Sequence, residues 1–549
     1  MHAAPTDEPN QDGVPSAELE LTVDGRTVRV PDDGSTLLEV LRTYAGVQSA
    51  KDGCAPQGQC GCCTVLVDGQ ARVSCVTPAR RVAGRSVTTL DGLDAQVRDR
   101  WAAAVTACGG SQCGVCTPGI VTRLVALDDK KPGATVADAE RALAAHLCRC
   151  TGWQTVVEAW ELQRSGDPFA ALEARDLDAA TARATVECGV PQRVGTEVSL
   201  GRAGFAADTV PDGALVAVPD GEGGWTVGPT LHAARQAAGK VQGRRTTEPA
   251  SPPLEVPEGE WAASLATCWV EAAYVETDAS WCEPGGSSAP AAANGGAFGA
   301  KRGSELPAAA RALADEHGQP VLALWSREDV ARHGFKRPPV AGGMRTDGTG
   351  QIRVVAADGV AAGIAAVAPG LEVELVEVPG PPVSSAVRAA GWAEAAALVA
   401  AAGAPSDYVS VDGDAVTVVD PVHGGRATVR VADGQVRVEV DGGEVLDEVV
   451  VRSYCIGAVH MALSWVTSES LTVTPDGEVA DLTVRSFGVL RAADMPHVEV
   501  VVAGDGPAEA CRVSDAVFAA TAAAVWRLQG CPTVWPTGTL LPASPATAG

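Results

Sequence analysis

Residues 19–30, LELTVDGRTVRV, alternate apolar and polar positions, placing Leu19, Leu21 and Val23, then Val28 and Val30, on one face of an extended chain. Asp24-Gly25 separates the two runs and accepts positive φ angles, so the pattern predicts a β-hairpin. The period then lengthens. In STLLEVLRTYAG, Leu37, Leu38 and Leu41 make an apolar stripe, Thr36 and Glu39 form a capping box, and Gly46 can end the helix. A second alternating stretch, TVLVDGQARVSC, predicts another hairpin turning at Asp68-Gly69. Between that helix and that hairpin lies KDGCAPQGQCGCC, which has no period and carries Cys54, Cys60, Cys62 and Cys63.

Two hairpins, one helix and a cysteine-rich loop describe a small β-grasp ferredoxin-like unit over 17–91. Helical spacing takes over from 92 to 165: Val97, Trp101 and Val105; Ile120, Leu124 and Leu127; Leu143 and Leu147; Val156 and Trp160. Four short helices fit, with Thr135 and Asp138 capping the third and Pro118 in a first turn, where its missing N–H costs nothing. Residues 166–205 lose periodicity and collect charge, which predicts a linker containing one exposed helix. Beyond it come short strands such as ATVRVADGQVRVEV, turning at Asp433-Gly434, and helices such as SDAVFAATAAAVWRLQG, with Ser514 as cap and Gly530 as stop. Pro- and Gly-rich joints near 249–259 and 369–382 divide this part into 206–380 and 381–549, while 1–16 reads as a disordered leader. The fold class expected is α+β and multidomain.

Composition narrows the partners. A formal charge of -26 repels nucleic acid and anionic membrane surfaces alike. No run of 18 apolar residues occurs and the opening MHAAPTDEPNQDGVPS has no export signal, so no membrane span and a cytoplasmic location are expected. In that reducing compartment the clustered members of the 16 cysteines read as metal ligands. The scattered ones, Cys108, Cys188, Cys268, Cys282, Cys455, Cys511 and Cys531, read as small hydrophobes.

Cys54, Cys60, Cys63 and Cys75 are spaced C-x5-C-x2-C-x11-C, one residue longer in the first gap than the plant-type ferredoxin pattern. Four thiolates at this spacing suit a [2Fe–2S] cluster, and Gly53, Gly58 and Gly61 let backbone N–H groups approach the sulfurs. Zinc is the competing reading, but a structural zinc site usually shows two C-x2-C knuckles and this loop has one. Cys62 competes with Cys63 for register, and the C-x2-C geometry favours Cys63. A second set, SQCGVCTPG with HLCRCTGW, gives Cys113 and Cys116 as C-x2-C and Cys148 and Cys150 as C-x-C.

This combination, a ferredoxin-like unit followed by a helical bundle carrying QCGxCTPG and LCRCTG, resembles the iron–sulfur part of the xanthine dehydrogenase/aldehyde oxidase family of molybdenum hydroxylases, over about 19–163. The resemblance implies two [2Fe–2S] clusters, one on Cys54, Cys60, Cys63 and Cys75, the other on Cys113, Cys116, Cys148 and Cys150. It also implies that Gln112 hydrogen-bonds the pterin of the molybdenum cofactor and that Cys150 lies where cluster meets pterin. Electrons in the family run from molybdenum to the bundle cluster, to the ferredoxin cluster, to flavin.

The second half is similar in pieces to the family's cofactor subunit, as a truncated α/β molybdopterin-domain-like region. GRAGFAADTVPDGALVAV is similar to the start of its hammerhead domain, and NGGAFGAK to its GGxFGxK loop, with Gly295, Gly296, Phe298 and Gly299 at the positions that face the cofactor. Arg388, in SSAVRAAGW, stands where an arginine-glycine motif is usual. Other motifs are missing: there is no GQG-type pterin loop, and the nearest glutamate to the family's GxGE base is the displaced Glu509. No stretch resembles the flavin domain, which implies a separate FAD-binding subunit beside a molybdopterin-binding catalytic subunit. The expectation is an electron-transfer subunit whose second half docks the assembly. The alternatives are a catalytic hydroxylase with a shortened cofactor domain, and a non-catalytic redox-sensing or assembly scaffold.

Overall fold

The computed structural model describes residues 18–239, 246–503 and 508–541, so the leader expected over 1–16 lies outside the described residues. β1 (Glu18–Val23) and β2 (Arg26–Pro31) pair antiparallel around Asp24-Gly25, whose φ angles are 49° and 77°. β3 (Thr64–Val67) and β4 (Gln70–Val73) use the same device at Asp68-Gly69. β5 (Ser86–Thr88) pairs parallel with β1 and antiparallel with β3, which gives one sheet in the order β2-β1-β5-β3-β4. Helix α1 (Leu37–Thr43), with the Thr36–Glu39 capping box in place, buries Leu37, Leu38 and Leu41 in a core shared with this sheet.

Four helices follow: α2 (Ala95–Cys108), α3 (Thr117–Lys130), α4 (Val136–Ala142) and α5 (Gln154–Ser165). Trp101, Leu124, Leu143 and Trp160 meet in their core, while Val97, read as part of the α2 stripe, is exposed. Thr135 and Asp138 form the capping box expected for α4.

The stretch expected as a linker is ordered and largely packed. It holds three helices, α6 (Pro168–Glu173), α7 (Leu177–Cys188) and the short Thr196–Ser199, and α7 buries Ala180, Arg183, Ala184 and Glu187. Charge misled the sequence reading here because the charges satisfy one another. Arg183 and Glu187 form a buried ion pair, and the Glu187 carboxylate also accepts the N–H groups of Val513 (3.2 Å) and Ser514 (3.0 Å). Glu187 thereby caps the helix Ser514–Leu528. Ser514, expected as that cap, lies inside the first turn with its hydroxyl unpartnered.

Beyond α7 the chain builds a four-stranded sheet in the spatial order Ala279–Cys282, Val321–Leu324, Leu215–Pro219, Trp225–Gly228, backed by the helix Leu306–His317. Two five-stranded sheets follow. One contains Ala263–Thr267, Val340–Met344 and Gly350–Val355; the other contains Ala415–Val419, Arg426–Ala432 and Gln435–Asp441. Helices Trp392–Ala402, Glu448–Thr467 and Ser514–Leu528 share one apolar core with both sheets. The joint expected at 369–382 therefore separates no cores, since Leu265 and Ile352 on one side share a core with Val416 and Val438 on the other, and Val534–Trp535 returns to pair with Ala263–Thr267. Glu448–Thr467 is the one helix among the described residues long and apolar enough to cross a membrane, and 89% of its most apolar stretch is buried inside the protein.

Candidate metal centres and the adjoining cleft

The loop between α1 and β3 folds back on itself because Gly58 and Gly61 take φ angles of 67° and 72°. Gly61 also needs its missing side chain: a Cβ there would lie 2.3 Å from the His146 ring, which packs against the loop. The fold brings Cys54, Cys60, Cys63 and Cys75 together, each 1% exposed. The N–H groups of Gln59 and Cys60 both donate to Cys54 Sγ at 3.3 Å, and the Cys75 N–H donates to Cys63 Sγ at 3.4 Å. Cys62 lies at the edge of the group, its thiol donating to the Cys60 carbonyl at 3.7 Å and touching the Cys60 thiol.

The second group forms where α3 begins and where the chain between α4 and α5 turns. Cys150 Sγ lies 3.6 Å from Cys113 Sγ, and Cys148 Sγ lies 3.1 Å from Thr151 Oγ1. All four bundle cysteines are buried. Arg149, the residue between Cys148 and Cys150, turns away into the second half. Its Nε donates to the Ala272 carbonyl at 3.1 Å, and its two terminal nitrogens grip the Glu469 carboxylate, one of them at 2.7 Å. Both partners are almost fully buried.

The acid–base state of these thiols fits a bound cationic centre. Contact with Cys54 raises the pKa values of Cys60 and Cys75 well above the ordinary thiol value, contact with Cys148 does so for Cys116 and contact with Cys113 for Cys150, with burial adding to each. Cys54 and Cys148 move the other way, Cys54 well below the ordinary value and Cys148 to about 6. Four thiolates crowded in an apolar setting need a cation between them, and an iron–sulfur centre supplies one.

Two family models match the chain. A 2Fe-2S iron-sulfur cluster binding domain matches residues 21–85, and a [2Fe-2S] binding domain matches residues 89–161. The xanthine dehydrogenase iron-sulfur-binding subunit of Escherichia coli O157:H7 is 38% identical over 147 residues, which are 25% of this chain and 89% of that protein. The nicotine 6-hydroxylase small subunit of Paenarthrobacter nicotinovorans is 38% identical over 143 residues, 26% of this chain and 86% of that protein. The chain belongs to the xanthine dehydrogenase/aldehyde oxidase family of molybdenum hydroxylases. It is an oxidoreductase component, and its 2Fe-2S domains give it an electron-transfer role in such an enzyme. Among solved structures, the aldehyde oxidoreductase of Desulfovibrio desulfuricans ATCC 27774 superposes with a TM-score of 0.65 at 16% identity, over 92% of this chain and 97% of that one. At that identity the likeness is one of fold.

The residues that the family resemblance assigns to the molybdenum cofactor come together only in part. Gln112, Gly296, Phe298 and Gly299 line one cleft of about 170 Å3, joined by Arg388, while Gly295 packs behind it against Cys188 and Gln192. Glu509 is exposed and does not line the cleft, so the displaced glutamate is not a base for this site. Sequence reasoning missed Asp515, which does line it. Burial opposes its ionisation, but Arg388 (2.9 Å) and Arg512 (3.0 Å) outweigh burial and hold its pKa below the usual carboxylate value. A carboxylate tied to two guanidinium groups is not a free base.

Molybdopterin does not fit here. The Gln112 NH2 group donates to the Cys150 carbonyl (2.9 Å) and to Ser453 Oγ (3.0 Å). A Cβ on Gly296 would lie 2.8 Å from Cys113 Cβ, and one on Gly457 would lie 1.8 Å from the Cys150 carbonyl oxygen. The glycine loop and the helix Glu448–Thr467 thus close on the bundle cysteines from two sides. The slot beside Cys150 that the resemblance gives to a pterin is filled by this protein's own backbone.

Proposed function

We propose that this chain is the iron–sulfur relay of a multi-subunit molybdenum hydroxylase, with one [2Fe–2S] centre on Cys54, Cys60, Cys63 and Cys75 and a second on Cys113, Cys116, Cys148 and Cys150. The observation that carries this reading is the assembly of eight buried thiols into two groups, one inside each matched domain. Each centre, when bound, takes up and gives back one electron. The protein's part is to hold it: thiolates as ligands, the N–H groups of Gln59, Cys60 and Cys75 aimed at sulfur, and apolar packing that keeps water away. The molybdopterin-binding catalytic subunit and the FAD-binding subunit are separate chains in this reading, and the complex works in the cytoplasm. Relatives that are themselves an iron-sulfur-binding subunit of xanthine dehydrogenase and a small subunit of nicotine 6-hydroxylase support a multi-subunit arrangement, and the substrate class is an aldehyde or N-heterocycle.

Metal analysis and low-temperature EPR on the complex purified from its native host test this. The expected result is iron with two distinct reduced [2Fe–2S] signals on this chain and molybdenum on another. A separated, fully loaded chain that retains molybdenum and oxidises an aldehyde or purine by itself would overturn it.

A further inference from the structure

The cleft that holds Gln112, Phe298 and Arg388 has no place for a pterin, yet its wall is cationic in a chain of net charge -26. Three guanidinium groups reach it from separate stretches of chain: Arg388, Arg512 and the exposed Arg302. A Cβ on Gly189, at the end of α7, would collide with Nη2 of Arg512 and meet Nη2 of Arg302 at 3.1 Å, so two of the three crowd one point. Like charges held this close repel one another unless an anion lies between them.

The protein's own carboxylates balance this charge only in part. Asp515 accepts from Nε of Arg388 at 2.9 Å and from Nη1 of Arg512 at 3.0 Å, one negative charge against two positive ones. Glu187, also on the wall, is already matched by Arg183. Asp420, close to Asp515, accepts from the His423 ring and N–H. With Arg183 counted, four guanidinium groups therefore meet three carboxylates, and protonation of His423 would only add to the positive side. The Arg302 guanidinium has no ion-pair or hydrogen-bond partner among the described residues. Unused donors point the same way. Nη2 of Arg388, Nη2 of Arg512 and the hydroxyl of Tyr454, a residue 6% exposed on the cleft wall, have no acceptor among the described residues, and none of the three is sealed from solvent. The N–H groups of Phe298 and Gly299 also lack an acceptor there, in a loop curled by φ angles of 78° at Gly296, 50° at Phe298 and 88° at Gly299. Successive N–H groups in such a turn make a concavity that favours an anion.

We propose that this cleft binds one small oxyanion, whose oxygens take the unused N–H groups of Arg302, Arg388 and Arg512 and the Tyr454 hydroxyl. Guanidinium suits such a ligand because its planar fork meets two oxygens at once, on a phosphate or a carboxylate alike. Size sets the upper limit. The cleft of about 170 Å3 is roughly six times the share of liquid volume that one water takes, which is room for inorganic phosphate or a short-chain carboxylate and not for a nucleotide. The cofactor pocket that the family resemblance predicts is, in this chain, an anion pocket of smaller bore. The site stands whether or not the chain relays electrons.

Calorimetric titration of the full cluster-loaded chain with inorganic phosphate, and separately with malonate, tests the site at constant ionic strength. Saturable binding of at least one of the two is expected, and the tighter one tells whether the natural ligand is phosphate or a carboxylate. Arg302→Ala should weaken that binding by at least about tenfold while leaving iron content and melting temperature unchanged, because the side chain is exposed and holds no partner. Arg302→Lys, which keeps the charge and loses the fork, should fall between the two. Tyr454→Phe, which removes only an unpartnered hydroxyl, should weaken binding by at least about threefold. Arg311→Ala removes an exposed arginine that does not line the cleft and should change nothing. Failure of both anions to bind saturably, unchanged affinity in Arg302→Ala, or an equal loss in Arg311→Ala would overturn the proposal, the last by showing that only the overall charge of the chain is felt.

Discussion

In residues 18–165 the side chains that matter sit in short loops, held by glycines and backbone N–H groups, whereas beyond residue 206 they sit on long helices and strands that share large apolar cores. Iron ligation demands one residue type at fixed spacing, so the first part keeps close sequence identity with the iron-sulfur-binding chain of a xanthine dehydrogenase. A core demands only apolar side chains of suitable volume, so the second part keeps a fold close to an aldehyde oxidoreductase while overall identity falls to 16%. Arg149 and Glu469 join the two regimes, because the residue between two cluster ligands is anchored in the second half.

Cysteine substitutions give the largest contrast between the two regions. Cys148→Ala should remove a ligand and about half of the bound iron, abolish one of two EPR signals, and destabilise the bundle, because metal binding is part of its folding free energy. Cys282→Ala in the second half, at a thiol as fully buried, should leave iron unchanged and cost only a small cavity. Loss of iron in Cys282→Ala would erase the distinction.

Next in size is the Arg149–Glu469 pair. Glu469→Gln leaves a buried guanidinium uncompensated and should cost about 3–5 kcal/mol by urea denaturation, while replacing both partners with apolar residues should cost far less. Because the pair spans both regions, the loss should appear in one shared transition. Two resolved transitions with only one displaced would show that the halves fold independently.

The sequence made the cluster region legible almost residue by residue. Hairpin turns, capping boxes, four helices and both cysteine groups follow from local rules that the structure obeys. What it hid were long-range pairings. Nothing local says that Glu187 caps a helix more than 300 residues away, that Arg149 reaches Glu469, or that Asp515 lies between Arg388 and Arg512. Charged residues in a stretch without period look solvated, which is why α7 was expected as linker. Conversely, Glu509 looked like a candidate because it lay near a glycine motif in sequence, and exposure removes it.

A smaller effect depends on pH and is shared by the regions, since His146 beside the first cysteine loop is also buried with its pKa lowered to about 4. His460, on the buried helix of the second half, donates from Nε2 to the Leu490 carbonyl at 3.0 Å and leaves Nδ1 unpartnered, the arrangement of a neutral ring. Burial first, then the nearby Arg149, lower its pKa to about 3. The folded value lies below the unfolded one, so the stability it supports is fully present above about pH 6.5 and is lost as pH falls toward 3. Between pH 6.5 and 5 the part of the loss due to His460 should be about 2 kcal/mol, read from urea midpoints, and His460→Gln should reduce the slope by that amount. An unchanged slope in the variant would mean that other groups set the acid limit.

The smallest effect expected comes from Cys62, the cysteine that competes in sequence with Cys63. Cys62 is fully buried, and its thiol reaches the first group only at Cys60, where it touches the Cys60 carbonyl and thiol. Cys62→Ala should therefore leave iron content and both EPR signals intact and cost no more than about 1 kcal/mol, the scale of a small cavity. Cys63→Ala, one residue along, should lose the ferredoxin-domain centre outright. The two variants ask which of two adjacent thiols holds the metal. A Cys62→Ala protein short of iron, beside a Cys63→Ala protein that keeps it, would shift the ligand register by one and sever the N–H bond from Cys75 to Cys63 Sγ from any role at the centre.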